Sequence, residues 1–253
     1  MKERLSRIAA FAHRCMLELV RDPLSYIFAL GFPLVMLTVM TILNGSIPPE
    51  AGMTVFRIDS LGPAVYIFGL SFIMLFTALL LSKDRAEAFL IRLYISPMRR
   101  MDFLLGYTLP TLVLALAQGI ITMAASMVIG GLTDVPLAPI GALLTILVSL
   151  PAMALFIGSG LLFGALFSDK AAPPLSSIVI SVSSFLGGMW MDLENMSGAI
   201  VKICGALPFW HAVKAGRMAL AMDFNGIWEN LAVVTVWAVA VYVLAALAFR
   251  KKL

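Results

Sequence analysis

Residues 61–82 read "LGPAVYIFGLSFIMLFTALLLS", and this stretch contains no charged residue. A helix over these residues would be about 33 Å long, enough to cross the roughly 30 Å hydrocarbon core of a bilayer. The whole chain has 253 residues, of which 61% are hydrophobic and 13% charged, well below the charged share of soluble domains. Because such long apolar runs do not suit the alternating strands of a barrel, we expect an all-α polytopic membrane protein.

Six apolar runs are long enough to cross a bilayer, which takes roughly 20 residues. They are Leu24–Leu43, Leu61–Ser82, Leu104–Gly130, Pro139–Phe167, Pro174–Met191 and Asn230–Phe249. None has Asp, Glu, Lys or Arg in its interior, which argues against inorganic ions as cargo, because intramembrane charges mark ion paths. The sequence therefore predicts six transmembrane helices in one transmembrane domain, residues 1–253.

The lysines and arginines are distributed unevenly between the connecting segments. With the N-terminus in the cytoplasm, fourteen of the 18 belong to cytoplasmic segments and four to outer segments. This bias follows the positive-inside rule, and it predicts a bacterial inner (plasma) membrane protein with both termini in the cytoplasm. The same rule accounts for the net charge of +4 without a nucleic-acid partner.

The segment 192–226 is apolar but is divided by Pro208 and by cations. Each half is too short to cross alone, so the sequence predicts a re-entrant helical hairpin on the outer side. A seventh span is the alternative, and it would place the cations of 250–252 outside, against the charge rule.

Residues 1–22 predict an amphipathic helix that lies along the inner membrane interface. Its apolar stripe, at helical spacing, consists of Leu5, Ile8, Ala9, Ala12, Met16, Leu19 and Val20. Phe11 and Leu17 fall outside this stripe, and most of the charged residues lie on the other faces of the helix.

Residues 83–100, "KDRAEAFLIRLYISPMRR", place five cations, two acids and a proline between the second and third runs. A short cytoplasmic helix over 84–96 is predicted, and its apolar face contains Ala86, Phe89, Leu90, Leu93 and Tyr94. Pro97 ends this helix, because the residue before a proline disfavours the α conformation. The helix is either an interfacial spacer or a lever on which a cytoplasmic partner acts.

The order and spacing of several features resemble the membrane subunits of ABC-2 type ABC exporters. These features are a basic N-terminal helix ending in "ELVRDPLSYIFALGFPLVM", the segment "DRAEAFLIRLYISPMRRMDFLLG", "LAQGII" in the third run, "LPFWHAVKAGRMAL" before the last run, and six runs with both termini inside. One departure from the family pattern is that the acids before the loop are only Asp84 and Glu87, separated by Arg-Ala.

The resemblance implies that 84–96 is a coupling helix, which docks on a separate ATPase subunit. The implied contacts to that subunit are Asp84, Glu87, Phe89, Arg92, Leu93 and Ser96. The chain has no G-x-x-x-x-G-K-[ST] motif, so ATP and Mg²⁺ are expected on the partner ATPase. No cofactor, metal or catalytic residue is expected on this chain, and the other expected partners are a second permease subunit, identical or homologous, and membrane lipid.

The resemblance also implies a substrate path between two permease subunits, near the first, second and fifth runs. The candidate lining residues are Met36, Met40, Phe68, Phe72, Phe76, Ser177, Ser181 and Phe185. Such a wall suits an amphipathic drug, peptide, lipid or lipid-linked glycan, although similar stripes also pack helices together. The sequence thus predicts the permease subunit of an ATP-powered exporter, with an ATP-independent channel or secondary carrier as the alternative.

Overall fold

The computed structural model describes residues 2–48, 54–87, 100–193, 196 and 198–252, and all the regular secondary structure within these ranges is helical. The elements in chain order are α1 (Lys2–Arg21), α2 (Pro23–Tyr26), a π-helical turn (Ile27–Gly31), α3 (Phe32–Ser46), α4 (Ile58–Ala86), α5 (Arg100–Leu132), α6 (Pro139–Val148), α7 (Leu150–Leu166), α8 (Ala172–Leu186), α9 (Ala199–Ala206), α10 (Pro208–Leu220) and α11 (Ile227–Lys252). The predicted all-α fold is confirmed for this part of the chain.

Several helices are long and apolar enough to cross a bilayer. Among the described residues there are four such stretches: Pro23–Ser46, Ile58–Ala86, Met101–Leu132 and Ile227–Phe249. Helices α6 and α7 make a fifth if they form one span, with a bend of 41° between them near Pro151. The predicted fifth span corresponds to α8, whose 15 residues fall short of the roughly 20 that a crossing takes. The count of six spans therefore stays a prediction.

The first span begins as the α-helix α2, passes through the π-helical turn and continues as the α-helix α3. Asp22 caps its start, because the carboxylate accepts hydrogen bonds from Leu24 N (3.2 Å) and Ser25 Oγ (2.8 Å). Pro33 then follows the π-helical turn and lacks the N–H that would bond to Ala29 in a regular α-helix. The wider turn lets span 1 continue past the proline without a break.

Helix α4 is the centre of the bundle, since 89% of its apolar stretch is buried. It packs against α3, α5, α7, α8 and α10. Two glycines of α7 allow the closest approach: a Cβ on Gly160 would lie 2.4 Å from the carbonyl oxygen of Met74, and one on Gly164 would lie 2.8 Å from that of Ala78. Small residues at this spacing let the helix backbones touch.

The "LAQGII" stretch packs α5 on α4. Gln118 Nε2 donates a hydrogen bond of 3.3 Å to the carbonyl oxygen of Tyr66. A Cβ on Gly119 would lie 2.8 Å from the Tyr66 ring, and one on Gly69 would lie 2.1 Å from Gln118 Nε2. Glycines on both helices therefore make room for the large side chain of the other helix.

The segment predicted as a re-entrant hairpin contains α9 and α10, whose 8 and 13 residues are too few for a span. Helix α10 packs against α4, α6 and α11. Its Arg217 donates hydrogen bonds of 3.1 Å to the carbonyl oxygens of Ser60 and Gly188. We call this end of the bundle the distal end, and the opposite end, where α1 packs against α5, the basal end.

Candidate coupling site at the basal end

Helix α1 docks on the first turns of α5 through one aromatic side chain. Phe11 is buried, and its ring makes edge contacts with Phe103 (centroids 5.8 Å apart) and Tyr107 (5.0 Å). Its ring covers Gly106, where a Cβ would lie 2.2 Å from Phe11 Cδ1. Only glycine at this position lets α1 approach so closely.

The buried face of α1 differs from the predicted apolar stripe. It consists of Ile8, Phe11, Cys15 and Leu19, spaced at i, i+3, i+7 and i+11. Leu5 and Val20 were predicted in the stripe but are exposed, at 59% and 50%. The buried face thus overlaps the predicted stripe only in part, and Phe11, which was placed outside the stripe, is buried against Gly106 of α5.

Asp84 links three elements in the last turn of α4. Its carboxylate is buried and accepts hydrogen bonds from Arg14 Nη1 (2.5 Å), Arg14 Nη2 (2.7 Å) and Tyr107 Oη (2.6 Å). The two bonds from Arg14 are the bidentate geometry that guanidinium and carboxylate groups favour. The pair fastens α1 and α5 to the end of α4.

A second ion pair ties α1 to the start of α5. Arg4 Nε and Nη2 lie 2.7 Å and 2.6 Å from Oδ1 of Asp102, whose side chain is buried. An acid in the first turn of a helix is also favoured by the helix dipole. Helix α1 is therefore paired with residues on both sides of the segment 87–99, with Asp84 before it and Asp102 after it.

The electrostatics around Arg14 favour the paired state. Burial alone would lower the pKa of Arg14, but the hydrogen bonds and charge of Asp84 raise it well above the ordinary value. Arg14 also lies 2.9 Å from Glu18, whose pKa is raised chiefly by burial. Burial, followed by the charge of Asp84, raises the pKa of Cys15 to about 12. The guanidinium thus stays charged, and the thiol stays protonated, throughout the physiological range.

Arg85, next to Asp84, fastens the end of α4 to the end of α7. Its Nη1 donates hydrogen bonds to the carbonyl oxygens of Gly164 (2.8 Å) and Phe167 (3.2 Å). Carbonyls in the last turn of a helix lack partners within the helix, and a cation there is favourable. Arg85 thus joins the basal ends of α4 and α7.

An amphipathic cleft opens beside this network, between α1, α2 and the end of α4. Its outer part, about 530 Å³, is lined mainly by charged side chains, among them Arg14, Arg21 and Lys83. A cavity of about 180 Å³ shares Glu18, Asp22 and Lys83 with it. Apolar side chains make up most of the wall of this smaller cavity: Leu19, Leu24, Phe76, Leu79 and Leu80.

The predicted ATPase contacts are only partly within the described residues. Asp84 is engaged inside the chain, and Glu87 is exposed directly after the end of α4. The remaining predicted contacts lie outside the described residues: Phe89, Arg92, Leu93 and Ser96. The docking of 84–96 on an ATPase therefore stays a prediction.

The predicted path residues divide into an inner and an outer set. Phe68, Phe72 and Phe76 are buried, and the rings of Phe68 and Phe72 contact those of Phe28, Phe32 and Trp190. Met36 and Met40 are partly buried on α3. The exposed members lie on one face of α8 and are Ser177, Ser181 and Phe185. That these residues line a path between two permease subunits therefore stays a prediction.

Sequence reasoning missed the partners of Asp84. Arg14 and Tyr107 are 70 and 23 residues away from it, and Phe11 and Gly106 are separated by even more of the sequence. The only sequence signals were the clustered cations of α1 and the position of Asp84 directly after an apolar run. These signals indicate charge, but they do not identify which charges pair.

The fold and this site define a multi-pass helical membrane protein whose basal helix is fastened to two spans. Residues 6–221 match the family described as ABC-2 type transporter, so the match covers most of the chain. No curated protein matches the sequence. The chain belongs to the ABC-2 type transporter family and is a permease component of an ABC transporter. Permeases of this family generally associate with ATPase subunits.

Proposed function

We propose that this chain is the permease subunit of an ATP-powered exporter and that it moves an amphipathic substrate outward. The observation that carries the proposal is the pairing of α1 with both ends of the segment 87–99, through Asp84–Arg14 and Asp102–Arg4. A partner that pushes this segment would move α1, α4 and α5 together, because all three are joined there. Energy transfer between subunits needs such an element, whose position both partners bias.

Separate ATPase subunits supply the force in this proposal, with ATP and Mg²⁺ bound to them. Glu87 is exposed at the start of the segment, which makes it available to a partner. The burial of Asp84 assigns that residue to the internal link, so Glu87 and the residues after it form the docking surface. The basal end then faces the cytoplasm of a bacterial cell, in agreement with the distribution of cations.

The unpartnered faces of α3 and α8 fit a second permease subunit, either identical or homologous. On α3 the exposed apolar residues follow a helical spacing and are Val35, Val39 and Ile42. On α8 they are Ile178, Val182 and Phe185, beside the exposed hydroxyls of Ser177 and Ser181. An apolar face with hydroxyls suits both a helix partner and an amphipathic substrate.

The basal cleft supports an amphipathic cargo. Its charged outer part would hold a polar headgroup, and the apolar cavity behind Lys83 would receive a hydrophobic tail. Phe76, a predicted path residue, lines that cavity. We assign this cleft as the place where substrate is collected from the inner leaflet.

Charge reversal at the docking surface tests this proposal. The variant Glu87→Lys with Arg92→Glu, co-expressed with its ATPase, should lose most ATPase co-purification. Lys202→Glu is the matched control, because Lys202 is exposed on α9, in the segment at the distal end of the bundle. Unchanged co-purification together with unchanged transport in the double variant would overturn the coupling role. Transport by the permease in proteoliposomes without any ATPase would favour the channel or carrier.

A further inference from the structure

Arg217 of α10 bridges a boundary between helices at the distal end of the bundle. Its Nε donates a hydrogen bond of 3.1 Å to the carbonyl oxygen of Ser60, in the first turn of α4. Its Nη2 donates one of 3.1 Å to the carbonyl oxygen of Gly188, in the turn that follows α8. We call the boundary between α10 and these two elements the distal seam, and one guanidinium joins its two sides.

Helix α10 is also fastened to α6 and α11, away from the distal seam. Thr145 Oγ1 of α6 donates a hydrogen bond of 3.3 Å to the carbonyl oxygen of Gly216. His211 Nδ1 lies 2.7 Å from Asn230 Oδ1 of α11. Helix α10 packs more extensively against α6 and α11 than against α4 or α8. It would therefore stay with α6 and α11 if the distal seam opened.

The apolar packing of α10 consists mostly of small side chains. Its buried residues are Pro208, Ala212, Val213, Ala215, Gly216, Ala219 and Leu220. Across the distal seam, Gly216 faces Pro63 of α4, whose Cβ would lie 3.2 Å from a Cβ built on the glycine. Hydrophobic stabilisation grows with the apolar area that is buried, so small residues contribute little to closing the seam. Elements held by few apolar contacts are the ones that open at low cost.

Two cavities lie along the distal seam and meet at Arg217. The first, about 530 Å³, is bounded by the start of α4, the loop between α5 and α6, and the end of α10. The second, about 410 Å³, is bounded by the start of α4, by Asp192 and by α10. Both are lined by Thr54, Ser60, Arg217 and Ala221. Arg217 has the longest of these side chains and is fixed in place by its two bonds, so its release would join the cavities.

We propose that Arg217 is a latch that keeps the distal end of the bundle shut. When its bonds to Ser60 and Gly188 break, α10 separates from α4 and α8, and the two cavities become one opening. The latch itself requires neither the substrate nor the ATPase, whereas the release of a substrate through this opening rests on the proposed function.

Labelling of a buried thiol on α10 tests the latch in the purified permease. Val213 is fully buried. In a chain that carries Cys15→Ser and Cys204→Ser, Val213→Cys should therefore react with a maleimide only when α10 separates from the bundle. Arg217→Gln should raise the labelling rate roughly tenfold, because it removes the charged donor that holds both carbonyls. Arg217→Lys keeps the charge but places it on a single nitrogen, so its increase should be smaller. The same comparison with Arg217→Lys tests the latch even if Arg217→Gln does not fold.

Arg57→Gln is the matched control at the distal end. Arg57 lines the first cavity but pairs with Asp59, two residues away in its own segment. It should leave the labelling of Val213→Cys unchanged, because it does not cross the distal seam.

The native thiol of Cys15 separates local opening from general loosening. In a chain with Cys204→Ser and the native Val213, Arg217→Gln should leave the labelling of Cys15 at the basal end unchanged. The latch would be overturned by a change in Val213→Cys labelling of less than about twofold, that is under roughly 0.5 kcal/mol. An equal effect of Arg57→Gln, or equal acceleration at Cys15, would overturn it as well. The permease is labelled without an ATPase, so the latch and the proposed function can fail separately.

Discussion

Replacing Asp84 with asparagine should release α1 from the bundle. The substitution keeps the shape of the side chain but removes the charge that Arg14 and Tyr107 contact at 2.5–2.7 Å. A hydrogen bond to a charged group contributes about 1.5–3 kcal/mol. Arg14 is about one-third exposed and has Glu18 as a second partner, so water and Glu18 recover part of this loss. We therefore expect α1 docking to weaken by about 2 kcal/mol.

The thiol of Cys15 reports this release directly. Cys15 is fully buried on the docked face of α1, so a maleimide reaches it only when α1 separates from the bundle. A loss of about 2 kcal/mol raises the open fraction, and hence the labelling rate, roughly 30-fold. All variants carry Cys204→Ser, which leaves Cys15 as the single cysteine.

The matched control is Asp59→Asn, the same substitution in the Arg57–Asp59 ion pair at the opposite end of α4. It should leave the labelling of Cys15 unchanged, because Asp59 does not contact α1. A change in Asp84→Asn of less than about twofold, that is under roughly 0.5 kcal/mol, would refute the reasoning. Equal acceleration by both substitutions would also refute it, since it would indicate general loosening of the bundle.

Three further predictions concern packing and pH. Gly106→Ala should also speed the labelling of Cys15, because its methyl group would lie 2.2 Å from Phe11, whereas Gly131→Ala, with nothing within 4 Å, should not. Gly160→Ala should lower the thermal midpoint of the purified protein by about 5 °C through overpacking of α7 on α4, measured by tryptophan fluorescence. Burial raises the pKa of Cys15 to about 12, whereas an exposed thiol titrates near 8.5. The docked state therefore binds the proton of the Cys15 thiol more tightly than the undocked state does. Docking of α1 thus keeps its full stability below about pH 8.5 and loses stability as the pH rises above that value. Limited proteolysis of α1 should therefore accelerate between pH 8 and 10, and Cys15→Ala should abolish this acceleration.

Hydrophobicity along the chain predicted the helical class and most of the membrane-crossing segments. Such prediction works because every backbone group in lipid needs a partner, and uninterrupted apolar runs such as 61–82 have few alternatives to a helix. The segment 174–191 shows the limit: it has the composition of a span, but its helix ends at Leu186, just before Gly187 and Gly188. Hydropathy does not register where a helix ends within an apolar segment.

The candidate site was less predictable, because its contacts join distant parts of the sequence. Phe11 was placed outside the apolar stripe of its own helix, yet Gly106 of α5 provides the space that buries it. Asp84 was predicted to face a partner subunit, whereas Arg14 occupies its carboxylate inside the chain. Periodicity describes one helix at a time, whereas these pairings depend on which helices meet.

The composition of the purified complex is the most direct test of the central claim that separate ATPase subunits drive this permease. The tagged chain should be co-expressed with a P-loop ATPase of an ABC transporter from the same genome, purified in a mild detergent and weighed by native mass spectrometry. We predict an assembly of two permease subunits and two ATPase subunits that hydrolyses ATP. A chain that purifies without the ATPase, from cells that contain both proteins, would contradict this prediction.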